Sequence, residues 1–301
     1  MRWLKGRKPV VARCLFQLIL SLVLASSVYA GERKLAFKLT GGVSRSSLGD
    51  VNSYLVGYSH YEIDDLRDYG YVQDKAFETY HFGQDVQVEM MVPITGRLSL
   101  CAGFGYIQVH KKQNSLSLQS SFSILTGTLD HAVRAVPITA ALDWSWPVAP
   151  KWAIHIETGA GLYISKFSEN GESLLTYKTG GVGYTKTWEA EAHASGLGLF
   201  GDIGLEAELT RNLSLLVEAG FRRARISGFS GQTRTRLNNN NWESEQPFDL
   251  FYYEFSLRGY QQVYPALSLP DAQRGYLLRV FREGVIDLSG WTLRAGLRIF
   301  L

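Results

Sequence analysis

The stretch W-T-L-R-A-G-L-R-I-F-L, residues 291–301, closes the chain and decides the fold. Its apolar residues fall at every second position up to the terminal Leu301. The positions between them are mostly polar or small: Thr292, Arg294, Gly296 and Arg298. Such alternation is typical of a β-strand with one apolar and one polar face. Because free chain ends are usually polar and frayed, this apolar end predicts a last strand that is held in a sheet.

The same alternation marks seven earlier segments. They are residues 34–43, 82–92, 98–106, 136–146, 152–164, 197–209 and 213–222. A tilted strand of about 9–11 residues is enough to cross a bilayer. The pattern therefore predicts eight strands of membrane-spanning length, and after residue 31 no apolar run is long enough for a spanning helix.

The connections between these segments alternate strictly between short and long. The short ones are 93–97, 147–151 and 210–212, and the long ones are about 44–81, 110–131, 167–195 and 227–285. Tight turns at one end and long loops at the other are typical of membrane β-barrels, whose long loops are extracellular. We therefore predict an all-β fold, an eight-stranded antiparallel transmembrane β-barrel with both termini on the periplasmic side.

A soluble β-sandwich would alternate in the same way, but two features favour the barrel. The polar face carries charged residues and many glycines, which suits a narrow lumen. In addition, Trp144, Trp146 and Trp152 cluster around one short turn, where an interfacial aromatic girdle would lie. Pro137 departs from the pattern because a closed barrel has no edge for a strand proline. It is therefore expected at a bulge or near the extracellular rim.

Residues 1–30 have the layout of a secretory signal peptide: a basic start, a short apolar run and small residues before Gly31. Cleavage after Ala30 leaves a barrel domain of residues 31–301. The whole chain has 31 Lys and Arg against 28 Asp and Glu, and removal of the signal leaves 26 against 28. This balance gives no reason to expect nucleic acid as a partner. Cys101 is then the only cysteine, so an intrachain disulfide is excluded.

Charged residues on the polar face are candidates for a network inside the lumen. They are Lys38, Asp85, Glu89, Asp143, His155, Glu157, Asp202, Glu206, Glu218, Arg222, Arg294 and Arg298. Eight strands enclose a space that side chains largely fill, and unpaired ions in that space are costly. We therefore predict a lumen plugged by internal salt bridges. The open alternative is a narrow, porin-like channel for ions or small solutes, which the excess of acids would make cation-preferring.

His155 and Glu157 also permit a third interpretation, a barrel enzyme that hydrolyses lipid. No serine lies at an obvious partner position, and no His or Cys spacing indicates a metal site. We therefore expect no catalytic residues, no metal and no cofactor.

The long loops are rich in aromatic residues. Candidates for an extracellular aromatic cap are Tyr54, Tyr58, Tyr61, Phe251, Tyr252, Tyr253 and Tyr260. They either pack the loops over the barrel mouth or form an exposed surface for a glycan, a lipopolysaccharide head group or a host protein. Arginines near the outer end of the seventh strand are candidates for lipopolysaccharide phosphates: Arg222, Arg223, Arg225, Arg234 and Arg236.

Loops one and four contain local helix signals. A helix is predicted to begin at Asp50 and to end before Gly70. A second is predicted between Pro270 and Gly284. Alternatively, the runs F-D-L-F-Y-Y-E-F-S-L and Y-L-L-R-V-F-R-E-G-V of loop four add two spanning strands, which would make ten.

Four positions near the end, Arg294, Gly296, Ile299 and Leu301, resemble the C-terminal insertion signal of Gram-negative outer-membrane barrels, although Leu301 stands where many such barrels have phenylalanine. The architecture over residues 31–301 resembles the small OmpA-, OmpX- and OmpW-like barrels. The resemblance implies an outer-membrane location, contact with lipid and lipopolysaccharide, and insertion by the barrel assembly machinery. It also implies a monomer with a structural or surface-binding role, and it names no ligand.

Overall fold

The computed structural model describes residues 35–67, 69–237, 242–256, 264–268 and 277–301. The signal peptide predicted for residues 1–30 lies outside this part of the chain. The strands are β1 (Ala36–Arg45), β2 (Val72–Lys75), β3 (Phe82–Pro93), β4 (Leu98–Gln119), β5 (Ser123–Ala149), β6 (Trp152–Tyr177), β7 (Val182–Thr210), β8 (Leu213–Ile226), β9 (Ser230–Leu237), β10 (Trp242–Asp249), β11 (Phe251–Ser256), β12 (Tyr264–Ser268), β13 (Leu277–Glu283), β14 (Ile286–Asp287) and β15 (Gly290–Phe300). One helix, α1, spans Asp50–Arg67 among the described residues.

The strands pair into a closed antiparallel ring. Its order is β1–β3–β4–β5–β6–β7–β8–β15, and β15 pairs back onto β1. The all-β prediction is thus confirmed. A total of eight strands is not confirmed, because the described residues also form strands in the predicted loops. We call the end of the ring with connections 94–97, 150–151 and 211–212 the turn end, and the opposite end the loop end.

Strands β4 to β7 are much longer than predicted, at 22, 27, 26 and 29 residues. The predicted loops 110–131 and 167–195 are therefore wrong in large part. Near the loop end the alternation continues with its polarity reversed: Leu129 and Phe167 point inward and are buried, whereas Arg134 and Lys166 face outward. Alternation with apolar residues on the outer face therefore ends where this reversal begins, although the strand itself continues.

Helix α1 closes the loop end of the ring. Val51 and Leu55 of the helix, and Leu48 just before it, are completely buried and belong to a core cluster with apolar residues of the strands, such as Leu129 and Val133. The helix begins at Asp50 as predicted, and Gly70 beyond its end has a φ of 75°. The described residues include no helix with the length and apolarity that a membrane crossing requires.

Loop four is built from strands. Strands β9 and β10 extend the main sheet beyond β7, and β12, β11 and β13 form a separate sheet. The helix predicted between Pro270 and Gly284 is wrong over β13, because pairing with β11 satisfies the backbone there and overrides the local helix signals. Residues 269–276 lie outside the described residues. In the described chain β11 and β13 do not join the ring, so they are not the two extra ring strands of the ten-stranded alternative.

Pro137 lies within β5 and points inward, neither at a bulge nor at the rim. It stays paired in register with Tyr163 of β6. On its other side the pairing of β5 with β4 is interrupted at Gly105 and Tyr106. A Cβ on Gly105 would lie 3.2 Å from Cγ of Pro137, so the glycine gives the proline ring room inside the sheet. Proline has no backbone N–H, so Pro137 donates no hydrogen bond to a neighbouring strand, and the local packing tolerates this loss.

Side chains on the outside of the ring form an exposed apolar band at its turn-end half. The band contains Phe37, Leu39, Val43, Phe82, Val86, Phe104, Val136, Leu142, Trp144, Trp152, Ile156, Ile164, Leu197, Leu199, Ile203, Leu205, Leu215, Val217, Phe221, Trp291, Leu293, Leu297 and Ile299. The rings of Trp144 and Trp146 stack 5.2 Å apart at the turn end. Exposed apolar patches far smaller than this band already indicate contact with another apolar phase.

Candidate functional site

The interior of the ring behind this band is polar and charged. All twelve side chains predicted for the lumen point inward there, and each residue is at most 7% exposed. The structure brings them together: Lys38, Asp85, Glu89, Asp143, His155, Glu157, Asp202, Glu206, Glu218, Arg222, Arg294 and Arg298. We call this set the lumen network. Glu208, which the same alternation places inward, is exposed in the wall of an open cavity at the turn end.

Lys38 is the hub of the lumen network. Its Nζ lies 2.5 Å from Glu89 and 3.1 Å from Glu218, and it also donates a hydrogen bond to Glu157. These carboxylates come from β3, β8 and β6, so one ammonium group on β1 joins distant sides of the ring. Three carboxylates around one buried cation would repel one another strongly without it.

Three arginines extend the lumen network along the ring axis. Towards the loop end, Arg222 donates to Asp85 at 2.8 Å. Arg294 donates to Asp202 at 2.7 Å and also to Gln87, a partner that the sequence analysis missed. The alternation in β3 places Gln87 on the inner face, beside the charged residues Asp85 and Glu89.

Arg298 closes the lumen network towards the turn end. It donates to Glu206 at 2.5 Å and lies 3.5 Å from Asp143. A cavity of about 550 Å³ opens from this point to the turn end, with Arg298, Glu206, Trp152 and Phe300 in its wall. Because the buried ion pairs form its inner wall, this cavity is a blind vestibule.

Glycines on the inner face make room for the charged side chains. A Cβ on Gly204 would overlap the imidazole of His155, and one on Gly220 would overlap the carboxylate of Asp202. Both positions are far inside van der Waals contact, so a larger residue at either glycine would displace a member of the lumen network. The many glycines of the polar face thus have a packing role.

His155 lies within a cluster of carboxylates. Its Nδ1 is 3.2 Å from Asp143 and its Nε2 is 3.6 Å from Glu218. In the described part of the chain Nε2 has no hydrogen-bond partner, a hydroxyl included. Residues 35–301, where described, also contain no group of three or more His, Cys, Asp or Glu that could hold a metal. Cys101 is buried and packs with Ala36, Met91 and Ala141.

Beyond the lumen network the interior is mainly apolar. A cavity of about 20 Å³ beside Tyr163, Arg222 and Arg294 has room for a single water molecule. Above it lies the core cluster around α1. Two layers therefore close the interior. The ion pairs of the lumen network form the first, and the core cluster around α1, which we call the apolar plug, forms the second. The sequence did not predict the apolar plug.

The aromatic residues predicted for the cap pack inward where their side chains are described. Tyr54 is buried against His131, Tyr58 stacks on Phe77, and Tyr252 is buried with its ring 4.3 Å from the guanidinium of Arg282. Phe251 is partly buried. The side chains of Tyr61 and Tyr253, and the whole of Tyr260, lie outside the described residues. These contacts agree with the first alternative, in which the aromatics pack the loops over the mouth.

Hydrogen bonds to Asp50 hold the start of α1 to loop four. Arg282 donates two hydrogen bonds of 2.6 Å to the carboxylate of Asp50, and the backbone of Val285 donates a third at 2.8 Å. The hydrogen bonds to Asp50 raise the pKa of Arg282 above its ordinary value. The carboxylate at the helix start therefore binds another segment of the chain.

His131 and Glu169 form a pair inside the apolar plug, in which His131 is fully buried and the Glu169 side chain is 12% exposed. Nε2 of His131 lies 2.8 Å from Glu169, and the indole of Trp188 donates to the same carboxylate at 2.7 Å. Burial alone would raise the pKa of Glu169, but His131 and the two hydrogen bonds bring it below its ordinary value of 4.5. A carboxyl whose pKa is lowered by folding stabilises the protein at neutral pH, and this stabilisation is lost as the pH falls below its ordinary pKa.

We therefore expect the Glu169→Gln variant to be less stable at pH 7, and to lose less stability than the wild type between about pH 5 and pH 3. Urea unfolding followed by tryptophan fluorescence at both pH values measures this. Glu172→Gln, at an exposed position of the same strand, is the matched control. An acid dependence that is the same in the Glu169→Gln variant and the wild type would show that the pair does not contribute.

The five arginines predicted for lipopolysaccharide fall into three groups. Arg222 belongs to the lumen network and faces inward, so its prediction as a surface residue is wrong. Arg234 and Arg236 form surface ion pairs with Glu245 and Glu243 across β9 and β10. Arg223 and Arg225 face outward on β8.

The C-terminal residues lie as an alternating strand requires. Arg294 points inward, whereas Ile299 and Leu301 are exposed on the outside. A Cβ on Gly296 would overlap the carbonyl oxygen of Leu39, so glycine permits the close pairing of β15 with β1. The role of these residues as an insertion signal stays a prediction.

Comparison with known proteins finds a likeness in structure but none in sequence. No known family model matches the chain, and no curated protein sequence is detectably similar to it. Among solved structures, the chain is similar to a major outer membrane protein from Thermus thermophilus, with 12% identity over 89% of this chain and 99% of that chain and a TM-score of 0.38. A likeness at this level carries no information on function.

Proposed function

We propose that the chain is an outer-membrane β-barrel whose eight ring strands span the bilayer, and that it acts at its surface with a closed lumen. The observation that carries the proposal is the exposed apolar band around a fully buried ionic interior. A soluble protein buries apolar side chains and exposes charged ones. Here, over the turn-end half of the ring, the arrangement is the reverse, as a barrel in lipid requires.

The size of the band fits the same proposal. About 10 residues per strand, tilted by about 40°, rise by about 25 Å, which is the height of the apolar band in known membrane barrels. Closure of the ring pairs the backbone of every spanning strand on both sides, so no unsatisfied edge faces lipid. Such a protein acts as a structural or ligand-binding surface of the cell envelope.

Orientation and assembly form part of this proposal. The first and last described residues meet at the turn end, where Leu301 donates a backbone hydrogen bond to Leu35 at 2.8 Å. We assign this end to the periplasm, because short turns face the periplasm in bacterial barrels. Strand β15 exposes an unpaired edge until β1 closes on it, which is the state that an assembly machinery would bind. Because the ring closes within one chain, the barrel is proposed to act as a monomer.

A narrow cation channel is the second candidate. It is favoured by the excess of seven carboxylates over four Lys and Arg side chains in the lumen network. The ion pairs and the plug around α1 oppose it, because an ion would have to break both in order to pass. We therefore place the channel second and do not propose catalysis.

Single-channel recording in planar bilayers decides between the two candidates. We expect no steady conductance from the refolded wild type or from the Glu157→Gln and Arg294→Gln variants. The Arg294→Gln variant should unfold at lower temperature because Asp202 loses its ion-pair partner. A steady ohmic conductance that either substitution changes would place the lumen on a transport path and reject the closed barrel.

A further inference from the structure

The outer surface of the ring changes from apolar to basic at the loop-end border of the band. On β1 the outward residues Phe37, Leu39 and Val43 are followed by Arg45, and on β8 Phe221 is followed by Arg223. The same change occurs on β5 and β6, where residues 134 and 166 are Arg and Lys. A basic border next to an apolar band is suited to lipid head groups that carry negative charge.

The cations of this border differ in their partners and exposure. Lys166 lies 2.6 Å from Glu191, and Arg134 is half-buried. Within the part of the chain that the structure describes, Arg45 and Arg223 have no carboxylate partner, and both are exposed. Their guanidinium groups are therefore available to an external anion.

The two free arginines flank one aromatic side chain. Strand β15 lies between β1 and β8, and its residue Trp291 pairs in register with Phe221. Phe82, the register partner of Arg45, packs edge-to-face on Trp291 with ring centroids 6.0 Å apart. Across β15, Arg45 lies level with Phe221, and Arg223 is two residues further along β8. With strands about 4.8 Å apart and a rise of about 3.4 Å per residue, the backbones of Arg45 and Arg223 are about 12 Å apart.

Below this aromatic row the surface is apolar. Val43, Leu293 and Val217 stand on β1, β15 and β8, and each is about half exposed. A ligand seated between the arginines would thus have a charged end at the border and an apolar part along the band. Tryptophan is enriched at this depth because its ring is amphipathic.

We infer that Arg45, Trp291 and Arg223 form a binding site for a phosphate-bearing acylated lipid, with the phosphate between the two arginines and an acyl chain along Val43 and Leu293. Guanidinium groups bind phosphate through paired, charge-assisted hydrogen bonds. The site rests on the proposed function, because only a membrane-embedded band brings acyl chains to these residues.

The test is binding of fluorescent lipid A to the refolded full chain in non-ionic detergent, with dephosphorylated lipid A as the second probe. We expect the Arg45→Gln/Arg223→Gln double variant to bind lipid A at least about tenfold more weakly, because two charge-assisted contacts are lost. The wild type should lose a similar factor with the dephosphorylated probe. Arg234→Gln/Arg236→Gln, which removes two arginines that are paired within the chain, should bind like the wild type.

Two results would overturn the site. One is equal binding of lipid A by the double variant and the wild type. The other is displacement of lipid A by inorganic phosphate at a concentration equal to that of the lipid, which would show that the acyl chains add nothing to the affinity.

The same samples are reconstituted into bilayers to separate the two proposals. Normal insertion and silent bilayers together with unchanged lipid binding reject the lipid site and leave the closed barrel standing. Failure of the wild type to insert rejects the proposed function itself.

Discussion

The Lys38→Met variant is expected to lose about 3–5 kcal/mol of its free energy of unfolding, the range found when one partner of a buried ion pair is removed. The loss is large because Glu89, Glu157 and Glu218 all surround Lys38 and all are buried. Methionine keeps most of the volume of the lysine stem, so a cavity contributes little. What remains is three carboxylates without their shared cation.

Urea unfolding of the barrel in detergent micelles, followed by tryptophan fluorescence, measures this loss. Lys151→Met is the matched control, because Lys151 is exposed at a short turn. The Lys38→Met/Glu157→Gln double variant should recover part of the lost stability, since one of the three repelling charges is gone. If Lys38→Met costs no more than Lys151→Met, the lumen network does not stabilise the fold.

The position of Lys38 in the lumen could be predicted from the sequence, but its partners could not. Period-two alternation determines which face of a strand a residue lies on, and it placed the twelve charged residues on the inner face. It does not determine strand register, and register decides that Lys38 lies beside Glu89 of β3 and Arg298 of β15. Contacts across the lumen, such as Lys38 to Glu157, depend in addition on the size of the closed ring.

The loop end was predicted less well for a related physical reason. Strands β4 to β7 continue beyond the apolar band, where water replaces the proposed lipid outside and apolar side chains replace charges inside. Leu116 and Leu118 keep the alternation of a strand, with the apolar face turned inward. A register shift between Lys111 and Asn114, with a φ of 52° at Gln113, moves the inward phase of β4 by one position. A pattern with apolar residues on the outer face therefore identifies only the half of each strand that lies within the apolar band.

The change of the inner face from charged to apolar side chains explains why ion pairs close one half of the interior and an apolar helix closes the other. Inside the band the strands are lined by charges, and an apolar helix would leave those charges unpaired. Above the band they are lined by apolar side chains, and these require an apolar partner. Helix α1 supplies this partner with Val51 and Leu55, while its ion pair with Arg282 fixes the helix to loop four.

We expect the Leu55→Ala variant to lose about 2–5 kcal/mol of its free energy of unfolding, the usual range for a leucine truncated in a packed core. Leu55 has no exposed surface, and it lies in the core cluster that closes the loop end. Val56→Ala is a sharp control because Val56 is the next residue of α1 and is 43% exposed. That control should change stability by less than about 0.5 kcal/mol.

Because the lumen network and the apolar plug each close the interior, we have a second expectation for the Leu55→Ala variant. Loosening the apolar plug leaves the ion pairs of the lumen network in place, so the variant should remain silent in planar bilayers while it becomes easier to cleave within α1. A new conductance in the Leu55→Ala variant would show that the plug alone blocks the lumen. Equal stability of the Leu55→Ala and Val56→Ala variants would contradict the packing of α1 inside the ring.

The Leu55→Ala/Lys38→Met double variant tests whether the two layers stabilise the protein independently. The stability losses of the two single variants should then add to within about 0.5 kcal/mol, as is usual for well-separated sites.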